Sequence, residues 1–312
     1  MTDSGPDNSL SHRLSWPALP LDAWLETHDT LRMWTQIAGK VRMALTPEMN
    51  HWWNVALYVN SRGLTTSPIP YGGGLFEIQF DFIEHFLEIH TSHGDDRAMP
   101  LEPMPVAVFY RKLMRALGEL GINVAINTKP QELPDPIPFD QDERHQSYDR
   151  DAAHRFWRVL LSTHIVLSDF RARFIGKASP VHFFWGSFDL ACSRFSGRRA
   201  EPPRKGVISS KAYSHEVISA GFWPGAGLGA PAFYSYTVPQ PEALPEARVQ
   251  PAAASWNKGL SEFIYMYEDF RREDSRWNAL MDFFQSTYEA GANLANWNRA
   301  ELERDYPAVR RA

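Results

Sequence analysis

Asp189, His215 and Glu216 are the side chains of this sequence best suited to moving a proton. Carboxylates and an imidazole do general acid and base work when a ligand lies within hydrogen-bond reach and the surroundings bring their pKa values toward neutrality. Trp185 and Trp223 can stack on an apolar or planar ligand, and Ser187 supplies a hydroxyl. Arg194 or Arg198 can pair an anionic group. Such a set supports hydrolysis or isomerisation by an acid–base pair, and no nicotinamide or flavin signature points to redox. His182, His215 and Glu216 also form a donor set for Zn or Mn. The blander assignment is preferred to that metal site: His182 begins a strand, Asp189 caps a neighbouring backbone or arginine, and His215-Glu216 opens a helix.

These residues need elements to position them. Val181–Arg199 reads as a long strand with two unlike faces. Alternation puts His182, Phe184, Gly186, Phe188, Leu190 and Cys192 on one side. Phe183, Trp185, Ser187, Asp189, Ala191 and Ser193 fall on the other. Open solvent does not call for Trp185, Ser187 and Asp189 side by side, and a dry core does not tolerate Asp189, so a semi-enclosed polar pocket is expected. Tyr213–Glu216 and Gly221–Gly225 read as a lid carrying Phe222 and Trp223, or equally as a plug on the sheet. Glu77, Gln79 and Asp81 share one face of a further strand. Solvent is their expected surrounding, unless two halves of the chain face each other and bring them to Asp189. Cys192 is expected to be a buried, inert thiol.

Around these segments the chain divides as follows. Residues 1–13 read as a disordered lead. Leu31, Trp34, Ile37, Ala38, Val41 and Leu45 recur at helical spacing until Pro47. Strands are expected at His51–Asn60, Gly63–Tyr71, Leu75–Phe82 and Phe86–Thr91. An amphipathic helix over Pro105–Gly121, a short strand at Ile122–Asn127 and a proline-rich link at Pro130–Pro138 follow. A long helix capped by Asp149 or Asp151 opens the second half. After the Val181 strand come a polar loop, a strand at Ala232–Val238, a second proline-rich link, a helix near Ser261–Arg272 and another from Ser275. Strands forming hairpins and then helices make the fold class α+β, with largely antiparallel sheets covered by helices. The order suggests two pseudo-repeated halves, 14–138 and 139–305, packed as one unit, with a tail at 306–312. Strands and helices do not alternate as a dinucleotide-binding fold requires.

Composition narrows the partners. The chain of 312 residues carries a formal net charge of -5, which gives no general attraction for nucleic acid. Its one cysteine excludes a disulfide framework within the chain and suits a reducing cytoplasm. No secretory leader is visible, and no stretch approaches the ~20 apolar residues of a membrane span. Eleven tryptophans and 19 phenylalanines favour thick cores and lined pockets. Gly225-Ala-Gly-Leu-Gly-Ala230 misses the dinucleotide spacing and precedes a strand, so it reads as a turn. Gly176-Lys177 lacks the rest of a phosphate loop, and Ser219 stands where a zinc-protease helix beginning at His215-Glu216 needs its second histidine. No cofactor is identified.

Several long motifs carry a resemblance. They are His51-Trp-Trp-Asn54, Leu64-Thr-Thr-Ser-Pro-Ile-Pro-Tyr71, Phe76-Glu-Ile-Gln-Phe-Asp-Phe82, Ser179 to Leu190, Phe195-Ser-Gly-Arg198, Tyr213-Ser-His-Glu216, Gly221-Phe-Trp-Pro-Gly225 and Ser286-Thr-Tyr-Glu-Ala290. Together they resemble the domain-of-unknown-function family DUF5996, over roughly Trp16 to Leu302. The resemblance implies a bacterial cytosolic protein with one family-wide fold, and implies no activity, cofactor or catalytic residue. The residues themselves predict a small-molecule site lined by Trp185, Asp189, His215, Glu216 and Trp223. The competing class is a structural or interaction module whose aromatics form a core and a homodimer face.

Overall fold

The computed structural model describes residues 14–304. The expected lead and tail lie outside the described residues. Helix α1 (Leu25–Leu45) is buried around most of its circumference, with Leu31, Trp34, Ile37, Ala38 and Val41 in the core and the polar Thr35, Gln36, Lys40 and Arg42 buried beside them. The first sheet follows it: β1 (Tyr58–Val59), β2 (Gly63–Thr65), β3 (Ile69–Tyr71), β4 (Gly74–Asp81), β5 (Phe86–Thr91) and β6 (Asp96–Pro100). Its strands pair antiparallel in the order β1-β2-β4-β5-β6, with β3 also on β4. The alternation in β4 is as expected: Phe76, Ile78 and Phe80 are buried, while Glu77 and Gln79 are half-buried. Helix α2 (Val106–Glu119) lays Val106, Phe109, Leu113 and Leu117 into the core. The Phe109 ring stacks on Trp34 at 4.6 Å and lies 6.3 Å from Phe80, which locks α1, α2 and the first sheet together.

Helix α3 (Arg150–Ala172) begins where Asp149 accepts a hydrogen bond from the Ala152 amide at 2.8 Å, as its sequence foretells. Next come β7 (His182–Phe184), β8 (Asp189–Arg199), the short α4 (Val207–Ala212), β9 (His215–Trp223), β10 (Ala232–Val238), β11 (Ser255–Asn257) and β12 (Glu262–Met266). Helices α5 (Tyr267–Arg271), α6 (Arg276–Leu294) and α7 (Arg299–Leu302) complete the described chain. The second sheet is antiparallel throughout, in the order β11-β12-β10-β9-β8-β7. One face, carrying Leu190, Cys192, Phe222, Phe233 and Tyr265, is buried beneath α3, α5 and α6. The two sheets meet where Leu57 and Phe183 exchange both main-chain hydrogen bonds, at 2.9 and 2.8 Å, and one apolar core continues from one to the other. The fold is α+β. None of the described helices is long and apolar enough to cross a membrane.

Four sequence expectations change. Of His51–Asn60 only Tyr58–Val59 is strand: Asn50–Val55 forms a 3-10 turn with His51 and Trp52 in the left-handed region, at φ 56° and 62°. The His51 ring, stacked 4.4 Å from Phe195 and bonded to the Ala212 carbonyl, holds that turn against local propensity. Ile122–Asn127 is irregular. The segment near Ser261–Arg272 is strand β12 before it becomes α5, because Phe263, Ile264 and Tyr265 pair with β10. Finally, Val181–Phe195 is not one strand but the hairpin β7–β8, turning at Trp185–Phe188.

Candidate functional site

The second face of the second sheet points away from α3, α5 and α6. Alternation and register turn Asp189, Ala191 and Ser193 of β8, Gly221 and Trp223 of β9, Tyr234 and Tyr236 of β10, and Glu262 of β12 toward it. Over this face close Trp52 and Trp53 of the 3-10 turn, Lys40 of α1, the loop through Glu132, and Ile208 and Tyr213 at α4. Between them lies a cavity of about 520 Å³. That is the size range of small-molecule sites, and its mixture of aromatic wall and few polar groups is their usual composition.

The β7–β8 turn forms one end of the cavity. Trp185 is pinned there, its indole N–H donating to the Val55 carbonyl at 2.7 Å. Its ring lies against Gly39 of α1, where a Cβ would collide with the indole. Arg32 donates to the Gly186 carbonyl through Nε at 3.2 Å and Nη2 at 2.7 Å. Phe188, at φ 62°, plugs into Phe156 and Phe183 and anchors the far side of the turn. Trp185 is therefore a fixed wall, only 6% exposed.

Asp189 follows directly. It is 7% exposed, and the hydroxyls of Ser187 and Tyr234 donate to its two oxygens. Tyr234 comes from two strands away, and it reaches because Gly221 of the intervening β9 has no side chain: a Cβ there would meet the tyrosine hydroxyl. Burial pushes the Asp189 carboxyl up to about 6, against the pull of the two hydroxyls, and the charge of Glu132 adds to the rise. Burial also pushes Glu262 up to about 7, helped by the charge of Asp189. Glu132 is raised by burial, with Arg32 opposing. The β8 and β12 backbones are three strand spacings apart, roughly 14 Å in a flat sheet. Asp189 and Glu262 thus both face the cavity from the same side of the sheet, three strands apart.

Trp185, Ser187, Asp189 and Trp223 line this cavity together. The other candidates do not join them. Arg194 sits on the opposite face of β8 at 1% exposure, donating to the Phe170 carbonyl and lying 3.4 Å from the Phe170 ring centre and 4.3 Å from that of Tyr288. It cannot reach a ligand in the cavity. Arg198 and Glu216 form an ion pair at 2.7 Å, and Arg198 also donates to the Ala295 and Asn296 carbonyls, clipping the sheet to the end of α6. His215 opens strand β9, not a helix, and its ring packs 5.5 Å from His51, which itself lines the cavity. His182 is buried among Trp53, Tyr58 and Phe184, and burial drives its imidazole down to about 3. Among the described residues no three His, Cys, Asp or Glu side chains come together to hold a metal ion, so His182, His215 and Glu216 do not assemble into the alternative centre. Glu77, Gln79 and Asp81 also stay apart from Asp189, bonded instead to Thr65, Asn60 and Arg62 on the first sheet. Cys192 is buried, and burial pushes its thiol up to about 11.

The sequence reading missed Glu262, Glu132, Tyr234, Tyr236 and the Trp52-Trp53 pair as site residues. For Glu262 a signal existed, since Glu-Phe-Ile-Tyr-Met alternates as a half-buried strand does. Neither a curated protein nor a solved structure shows significant similarity to the chain. The model described as "Family of unknown function (DUF5996)" matches residues 16–304, and the chain belongs to that family.

Proposed function

We propose that the protein binds a small organic molecule in this cavity and carries out acid–base chemistry on it, of the hydrolase or isomerase kind. The observation that carries the reading is the pair of carboxyls pushed toward neutrality, Asp189 to about 6 and Glu262 to about 7, both lining one aromatic cavity. Both carboxyls are raised toward neutrality, so each can hold or release a proton near physiological pH. One carboxyl can then take a proton while the other gives one. Ser187 and Tyr234 hold Asp189 in a fixed orientation. Glu262 takes the place that His215 and Glu216 hold in the sequence-based set. The reading goes with a cytoplasmic location, as the lone buried thiol of Cys192 suits reducing conditions.

A thermal-shift screen of metabolites against the wild type, Glu262→Gln and Trp223→Ala tests this. Ligands that raise the wild-type melting temperature and lose that effect in both variants support it. If no compound stabilises the protein, or if stabilisation is the same in the variants, the cavity is not the binding site.

A further inference from the structure

The polar groups of the cavity are unevenly matched. Most of its hydroxyl donors are already used: Ser187 and Tyr234 on Asp189, Ser193 on Ser219 at 3.0 Å, and one of Tyr213 and Tyr236 on the other at 3.2 Å. The Lys40 amine donates to the Asn127 carbonyl at 2.8 Å and to the Lys129 carbonyl. By contrast, among the described residues no hydrogen bond to the side chain of Glu132 or Glu262 contributes to its environment. Arg32, the guanidinium electrostatically coupled to Glu132, is committed to main-chain carbonyls of the turn and of Glu132 itself. A bound molecule therefore meets carboxyl oxygens of Glu132 and Glu262 that no donor among the described residues satisfies.

The walls point the same way. Trp52, Trp53, Trp185 and Trp223 all border the cavity, and the Tyr234 and Tyr236 rings stack in parallel at 6.1 Å on its floor. Aromatic faces carry negative quadrupole charge and attract a desolvated cation. A bound cation favours the ionised form of Glu132, Asp189 and Glu262 and pairs with it, whereas an anion disfavours that form.

We infer that the ligand is an organic cation, an amine or quaternary ammonium on an apolar or aromatic body, seated among the tryptophans with its charge toward Glu132, Asp189 and Glu262. This rests on the cavity being the binding site, as proposed above. It adds the chemical class.

Titration calorimetry with three matched probes decides it: 2-phenylethylamine, 2-phenylethanol and 3-phenylpropionate. The amine is expected to bind at least about ten-fold more tightly than the alcohol, and the carboxylate not at all. Glu262→Gln and Asp189→Asn should each weaken the amine by about ten-fold and leave the alcohol within about two-fold. An alcohol or carboxylate that binds as tightly as the amine, and loses its affinity in Trp223→Ala, overturns the cationic class while keeping the cavity as the site. Absence of binding by all three at millimolar concentration overturns both. Glu262 is half-buried at the start of its strand, so that variant retains the fold even if Asp189→Asn does not.

Discussion

At Asp189, burial and hydrogen bonding act in opposite directions, and burial wins. The folded pKa of about 6 lies above the ordinary 3.8. The stability this protonation contributes is complete below pH ~4 and is lost as the pH rises through ~6, so at pH 8 the ionised group works against folding. Asp189→Asn should therefore be more stable than the wild type at pH 8, by roughly 1–3 kcal/mol, with the difference vanishing near pH 4. Urea unfolding at the two pH values measures it, and a loss of stability at pH 8 would make Asp189 an ordinary structural acceptor. Arg194 gives the opposite case. Its guanidinium, pushed down to about 10 by burial, lies between the Phe170 and Tyr288 rings. Arg194→Ala removes those contacts and leaves a cavity, so it should cost roughly 3–5 kcal/mol, whereas Arg194→Met, which refills the space, should cost less than half of that. Trp185, Ser187, Asp189 and Trp223 were legible as residues of one polar pocket, although Trp185 and Ser187 reach the cavity from the β7–β8 turn and not from the strand face the sequence suggests. Arg194 was not, since sequence cannot tell a cation aimed at a ligand from one enclosed by aromatic rings.

Elements bring these side chains together through two close approaches. Gly221 lets Tyr234 cross β9, and Gly39 lets α1 lie on Trp185. At Gly221 an added Cβ would also strike the Leu190 carbonyl, so the neighbour cannot move aside. Gly221→Ala should cost about 2 kcal/mol or more, and the pKa of Asp189 should change as Tyr234 is displaced. Stability and a carboxyl titration on the same variant check both parts. A variant as stable as the wild type would show that β8 and β9 yield easily there. Helices α1, α2, α3 and α6 were readable from periodicity and caps. The β7–β8 hairpin was not, because Trp-Gly-Ser-Phe lacks the usual paired turn residues, and the left-handed Phe188 is held by tertiary packing on Phe156 and Phe183. Strand β12 was mistaken for helix because its apolar run is short enough to suit either period.

For the molecule as a whole, the second sheet does not form the cavity alone. The cavity floor is one face of that sheet, and its roof comes from α1, the Asn50–Val55 turn and the Glu132 loop. The α+β class followed from the order of elements, but this junction could not be read from one sequence, because it joins residues more than 200 positions apart. Helix α4 contributes Ile208 and Ala212 to the cavity, yet it buries none of its residues and follows an exposed polar stretch. A bound ligand that contacts α4 should slow protease cleavage in 201–206, and equal cleavage with and without ligand would remove α4 from the site.

The claim on which the account stands is that the cavity holds two carboxyls near neutrality. Carbon-13 NMR titration of the side-chain carboxyls, assigned with Asp189→Asn and Glu262→Gln, measures this directly. The account predicts midpoints close to 6 for Asp189 and 7 for Glu262. Midpoints at ordinary carboxylate values, below pH ~5, would show that solvent reaches both groups freely and would contradict the proposed acid–base site.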